Sequence, residues 1–130
     1  MDDAAVRLIL AGGIAVAALL LAGAGHLHRR KRGRAAAAIP LDLTGIDGRV
    51  LLFSDVACPT CDTARARLET AGAPFREIGY HLDPEAHRRA GVTAVPLIVV
   101  RNAAGGEVGR IGGRPVRRTL ERLLRRAGVK

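Results

Sequence analysis

The pattern of apolar and polar positions divides this chain into two unlike parts. From Leu8 to Leu27, twenty successive residues carry no Asp, Glu, Lys or Arg and are rich in Leu, Ala, Ile, Val and Gly. At about 1.5 Å per residue a helix of that length is roughly 30 Å long, the thickness of a bilayer's hydrocarbon core. The run predicts a membrane span. From Arg49 the pattern breaks into short segments. Val50–Ser54 is a compact apolar run that predicts a strand, and Pro59–Ala71 predicts a helix with Ala64 and Leu68 on its inner side and Gly72 as its stop. Phe75–Tyr80 predicts a second strand. Asp83-Pro84-Glu85 reads as an N-cap and first turn for a short helix, Pro84–Ala90, ended by Gly91. Leu97–Arg101 and Glu107–Ile111 predict two strands, and Asn102-Ala103-Ala104-Gly105-Gly106 between them has hairpin-turn composition. A last helix is predicted from Pro115 to about Ala127, with Val116, Leu120, Leu123 and Leu124 on one stripe and arginines on the other faces. Before all of these, Leu41–Gly48 reads as a brief strand or extended entry segment with a turn at Asp47-Gly48.

The order β-α-β-α-β-β-α implies a small mixed sheet covered by helices, because parallel strands need helical crossovers and the last pair needs only a turn. The chain therefore reads as an N-terminal transmembrane anchor (residues 1–28), a basic flank and linker (29–40), and one α/β domain (41–130).

Charge refines the first part. Arg29, Arg30, Lys31, Arg32 and Arg34 crowd the C-terminal side of the apolar run, whereas Arg7 is the only Lys or Arg before it. The positive-inside rule then predicts a single-pass protein of the cell membrane with its C-terminal domain in the cytoplasm. Two alternatives compete. A cleaved secretory signal wants a basic start and a shorter apolar core, whereas Asp2 and Asp3 stand here against Arg7; Ala22-Gly23-Ala24 resembles a small-residue cleavage site. A soluble helix apolar on every face needs a larger protein around it.

The formal charge of +9 is less informative than it looks. Residues 36–130 hold fifteen Lys and Arg against ten Asp and Glu, and the chain has two Phe, one Tyr and no Trp. With so little for bases to stack on, a nucleic-acid partner is not expected. The arginines of the last helix, Arg117, Arg118, Arg122, Arg125 and Arg126, read most simply as solvated faces, with steering of an acidic partner or a membrane surface as the alternative.

The chemistry concentrates at Cys58-Pro59-Thr60-Cys61, which holds the chain's only two cysteines at the junction of the first strand and first helix. A cysteine at a helix N-terminus faces unsatisfied N–H groups and the positive end of the helix dipole, which favour thiolate. Cys58 can then attack a disulfide, and Cys61, one turn on, can resolve the mixed disulfide. Proline at Pro59 suits the first helical position. The same pair is also half of a zinc site if His81 and His87 complete it, but Cys-x2-Cys-x19-His-x5-His has a long central gap for a finger. Otherwise His81 and His87 are expected to be solvent-exposed around the short helix.

Three separated motifs carry a resemblance. Phe53-Ser54-x-x-x-Cys58-Pro59-x-Cys61 resembles the glutaredoxin active-site strand and turn, Thr93-Ala94-Val95-Pro96 resembles the cis-proline loop of that family, and Ile111-Gly112-Gly113 resembles its diglycine before the last helix. In this order they make residues 49–130 similar to a thioredoxin-fold domain, nearest the glutaredoxin-like branch. The resemblance implies a thiol-disulfide oxidoreductase in which Cys58 and Cys61 are catalytic. It implies that Pro59, Thr60, Val95, Pro96, Gly112 and Gly113 meet the substrate. A cis Val95-Pro96 bond would set the Val95 backbone beside the dithiol to pair with an extended peptide. No metal or organic cofactor is expected beyond the redox-active Cys58-Cys61 disulfide. The expected partners are protein dithiols and disulfides or a low-molecular-weight thiol, with the membrane reached through the N-terminal helix.

The chain departs from the pattern where glutaredoxins commonly have a basic residue (Asp55), an aromatic residue (Thr60) and acidic residues after the diglycine (Pro115-Val116). A carboxylate at Asp55 would repel both a glutathione carboxylate and a nearby thiolate. Thioredoxins proper place a Trp at Ala57 and a buried Asp at Leu52, so Asp62, Asp55 or water remain as proton acceptors for Cys61. Readings from other classes are a non-catalytic adaptor of the same fold at the membrane and a metal-carrying CxxC. An extracytoplasmic oxidoreductase for protein maturation is the reading if the orientation is reversed.

Overall fold

The four strands earn their places by side-chain alternation. In β1 (Val50–Ser54), Val50 and Leu52 point to one face of the sheet and Leu51 and Phe53 to the other, and every position is buried. A strand covered on both faces needs no polar side. The computed structural model describes residues 3, 12–25 and 40–129. Two compact units make up the chain, residues 1–32 and 33–130.

In the second unit the sheet order is β2-β1-β3-β4, with β2 Arg76–Gly79, β3 Leu97–Arg101 and β4 Glu107–Gly112. β1 runs parallel to β2 and antiparallel to β3, and β3 is antiparallel to β4. Ile78, Phe53, Leu97 and Gly112 form one row across all four strands. Helices α1 (Pro59–Thr70) and α3 (Arg117–Ala127) cover one face, where Ala64, Leu68, Leu120 and Leu124 pack on Val50, Leu52, Ile98 and Val100. Helix α2 (Pro84–Ala90) covers the other, where Ala86 and Ala90 join Leu51, Phe53, Ile78, Leu97 and Val99.

The local signals act as the sequence predicts at most boundaries. Asp83 caps α2 by accepting from the Ala86 N–H at 2.8 Å. The hairpin closes through Asn102, whose N–H donates to the Gly106 carbonyl at 2.8 Å while its side-chain oxygen accepts the Gly106 N–H at 2.9 Å. Arg49 donates to the carbonyls of Ala127 and Gly128 at the C-terminus of α3, where the helix dipole favours a cation.

Three expectations need correction. The entry segment forms no strand, and its turn falls at Thr44-Gly45, where Asp42 accepts the Thr44 N–H at 3.0 Å and Ile46 reaches back to Leu43. Val116 is not on the buried stripe of the last helix: it is the N-cap residue, 62% exposed, and Ala127 takes its place in the core. His87 is buried rather than exposed, and its Nε2 lies 2.7 Å from the Ile78 carbonyl.

The predicted span of Leu8–Leu27 lies partly outside the described residues, and the basic cluster at 29–34 wholly so. Residues 12–25 are helical and exposed, with Ile14, Leu19, Leu20 and Leu21 each exposing two-thirds or more of their surface. Among the described residues no helix is long and apolar enough to cross a membrane.

Candidate active site

β1 ends at Ser54, and four residues later Cys58 becomes the N-cap of α1 in an extended conformation, with Pro59 in the first turn. Its sulfur accepts the Cys61 N–H at 3.1 Å and its carbonyl accepts the same group at 3.0 Å. The two cysteines are joined in a disulfide with their Cα atoms 5.3 Å apart. They differ sharply in access: Cys61 is fully buried beneath the helix, whereas Cys58 is half-exposed. Thr60 is half-buried between them and Pro59 is exposed.

The other residues singled out from sequence gather at the same end of the sheet. Phe53, Leu97 and Gly112 share a row, so the residues just beyond them, leading to Cys58, back to Pro96 and on to Gly113, leave the sheet together. The Val95-Pro96 bond is cis, Pro96 is buried, and Val95 is half-buried against the α2-side core. Among the described residues the Val95 backbone has no hydrogen-bond partner. Gly113 donates its N–H to the Pro96 carbonyl at 2.9 Å, tying the diglycine to the proline loop. Its φ of +74° belongs to the left-handed region that favours glycine. Around this end Val56, Tyr80, Leu82 and Val116 are all exposed.

A polar network not evident from the sequence ties α1 to the sheet. Glu77 accepts from Ser54 Oγ at 2.6 Å and from Arg65 through two N–H groups at 2.9 and 2.7 Å, and Arg65 also donates to Asp62 at 2.7 Å. The Arg65 bonds, opposed by partial burial and helped by Ser54, hold the Glu77 carboxyl below the usual range. Glu77 and Asp62 raise the Arg65 guanidinium in turn. The network joins β1, β2 and α1, and its Asp62 directly follows Cys61 in the chain. The strand alternation of Phe75, Glu77 and Gly79 was the signal that Glu77 faces α1. Asp55 turns to its own loop, accepting the Val56 N–H at 2.7 Å.

The histidines do not complete a metal site. His87 meets Phe53 and Tyr80 edge-on at 5.1 and 5.4 Å. Among the described residues no group of three or more His, Cys, Asp or Glu side chains is arranged to hold a metal ion.

No protein-family model and no curated protein sequence matches the chain. Solved structures do. Thio-disulfide isomerase from Thermus thermophilus aligns with 67% of this chain and 83% of its own, at 21% identity and a TM-score of 0.53. A malarial protein aligns with 60% of this chain and 93% of its own, at 15% identity and a TM-score of 0.52. The fold is thioredoxin-like. Thioredoxin from Fasciola hepatica also aligns, at 25% identity over 60% of this chain and 78% of its own, with a TM-score of 0.49. In this thioredoxin-like domain Leu52, six residues before Cys58, is fully buried in the core under α1 and α3.

Proposed function

We propose that this protein is a membrane-anchored thiol-disulfide oxidoreductase in which Cys58 is the nucleophile and Cys61 the resolving thiol. One observation carries the reading: a half-exposed Cys58 at a helix N-cap is joined to a fully buried Cys61 one turn on. Only one of the two sulfurs is open to a substrate, and the other is placed to act on it alone.

In the reducing direction the Cys58 thiolate attacks one sulfur of a substrate disulfide. The substrate S–S bond breaks, its other sulfur leaves and takes a proton, and a mixed disulfide forms. Cys61 then loses its proton and attacks the Cys58 sulfur, releasing the second substrate thiol. The substrate gains two electrons and two protons, and the domain is left as the Cys58–Cys61 disulfide. A second dithiol, on a protein or a small molecule, returns those electrons. The Cys61 N–H at 3.1 Å from the Cys58 sulfur supports the thiolate in this cycle.

A protein disulfide fits the surroundings better than glutathione. Exposed Val56, Tyr80, Leu82 and Val116 offer apolar contact around Cys58, and the unpaired Val95 backbone offers hydrogen bonds to an extended chain. The apolar run Leu8–Leu27 and the basic cluster that follows it support anchorage with the domain in the cytoplasm, a compartment where dithiols run as reductants. Tethering raises the effective concentration of the dithiol near membrane proteins. The test is the Cys61→Ser variant incubated with a disulfide-bonded protein. Accumulation of a mixed disulfide at Cys58 supports the mechanism. No adduct, with wild-type reduction retained, would sink it.

A further inference from the structure

Helix α3 carries a row of cations with one acidic residue on the helix beside it, Glu121, whose carboxylate feels Arg125 and Arg118 as well as Arg117. At 3.6 residues per turn, Arg118, Arg122 and Arg125 fall on the side opposite the buried Leu120, Leu124 and Ala127, and Arg126 flanks them. All four are exposed. The helix has one acidic residue, Glu121, and it is committed to Arg117 at 2.7 Å on the flank. Among the described residues Arg118, Arg122, Arg125 and Arg126 make no ion pair.

We infer that the outer face of α3 is a docking surface for anionic lipid headgroups. The row runs about 10 Å from Arg118 to Arg125 along the side of the helix away from the core, and the groove between α1 and α3, lined by Arg117, Leu120 and Glu121, includes none of it. A shape-specific acidic peptide would need such a groove. A fluid anionic lipid surface needs only charge, and each arginine brought near it contributes about fivefold in binding. The inference rests on the membrane-anchored reading for its setting, since a tethered domain meets the lipid surface continuously. It adds a second contact to that reading, one borne by the folded domain itself.

The test uses the full chain mixed with phosphatidylcholine vesicles, with and without about one-third phosphatidylglycerol, and arginine modification by phenylglyoxal read by mass spectrometry. Arg118, Arg122 and Arg125 should react about fivefold more slowly on the anionic vesicles, while exposed Arg89 on α2 reacts equally on both. Salt at about 0.5 M, which cuts the screening length to roughly 4 Å, should remove the protection. The triple variant Arg118→Gln, Arg122→Gln, Arg125→Gln alters only exposed positions and should bind anionic vesicles more weakly than the wild type at equal lipid. Equal reactivity on both vesicles overturns the inference. So does protection on both, which means contact between copies, or protection by polyglutamate but not by lipid, which means an acidic protein. Flotation with pure phosphatidylcholine vesicles tests the anchor separately. If the chain does not float there, yet anionic vesicles still protect the row, the anchor fails and the docking surface stands.

Discussion

Glu77 lies directly opposite Leu52 in the parallel pair of β1 and β2, so its side chain shares the α1 face of the sheet with Leu52. There its carboxylate is held by Arg65 and Ser54. The arrangement puts a charged clasp, instead of a lone buried acid, behind the helix that carries Cys61.

Replacing Glu77 by Gln keeps the shape and removes the charge. At about pH 7 the variant should be less stable by about 1–2 kcal/mol, since a bidentate charge-assisted pair that is partly exposed is lost. The carboxyl lies below its unfolded value of 4.5 in the folded state, so its stabilisation is complete above that value and disappears as pH falls through the lower folded one. Urea midpoints of the two proteins should therefore converge as pH falls below 4.5 and through the lower folded value. A difference that stays constant with pH would show that the charge does not matter.

Gly113→Ala places a Cβ in open space but on a backbone with φ of +74°. The expected cost is about 1 kcal/mol from strain alone. Thermal unfolding would show it, and reduction of a protein disulfide should slow as the Pro96 tie loosens.

His87→Ala removes a buried ring, its bond to the Ile78 carbonyl and its two edge contacts with Phe53 and Tyr80. A loss of about 2–4 kcal/mol is expected from the cavity and the orphaned carbonyl. Denaturant unfolding checks it. A near-neutral result would mean that water enters and repairs the site.

The reduced protein should alkylate asymmetrically. With limiting iodoacetamide, Cys58 should react on the order of a hundredfold faster than Cys61, because it is partly accessible at the helix N-cap while Cys61 is fully covered. Comparable rates at the two positions would contradict their assigned roles.

The order of elements was legible because each is bounded by a local signal: Pro59 and Gly72 around α1, Asp83 and Gly91 around α2, and the glycine-rich hairpin between β3 and β4. The dithiol and the cis Val95-Pro96 loop were legible through motif order. What escaped depends on contacts between elements far apart in sequence. His87 looked like a surface residue because a short helix gives little periodicity, and only the approach of Phe53 and Ile78 buries it. Ser54, Arg65 and Glu77 meet only once β1, β2 and α1 are assembled. Val116 was read as core because its spacing suits a longer helix, but the helix begins after it.

The most direct test of the account is a redox titration of the full chain in mixtures of oxidised and reduced dithiothreitol, with acid quenching, alkylation and mass spectrometry of Cys58 and Cys61. One reversible two-electron transition is expected, in which both sulfurs change together, with a tenfold change in ratio per roughly 30 mV, centred near the thioredoxin value of about −270 mV. A pair that does not cycle, or two cysteines that titrate independently, would contradict it.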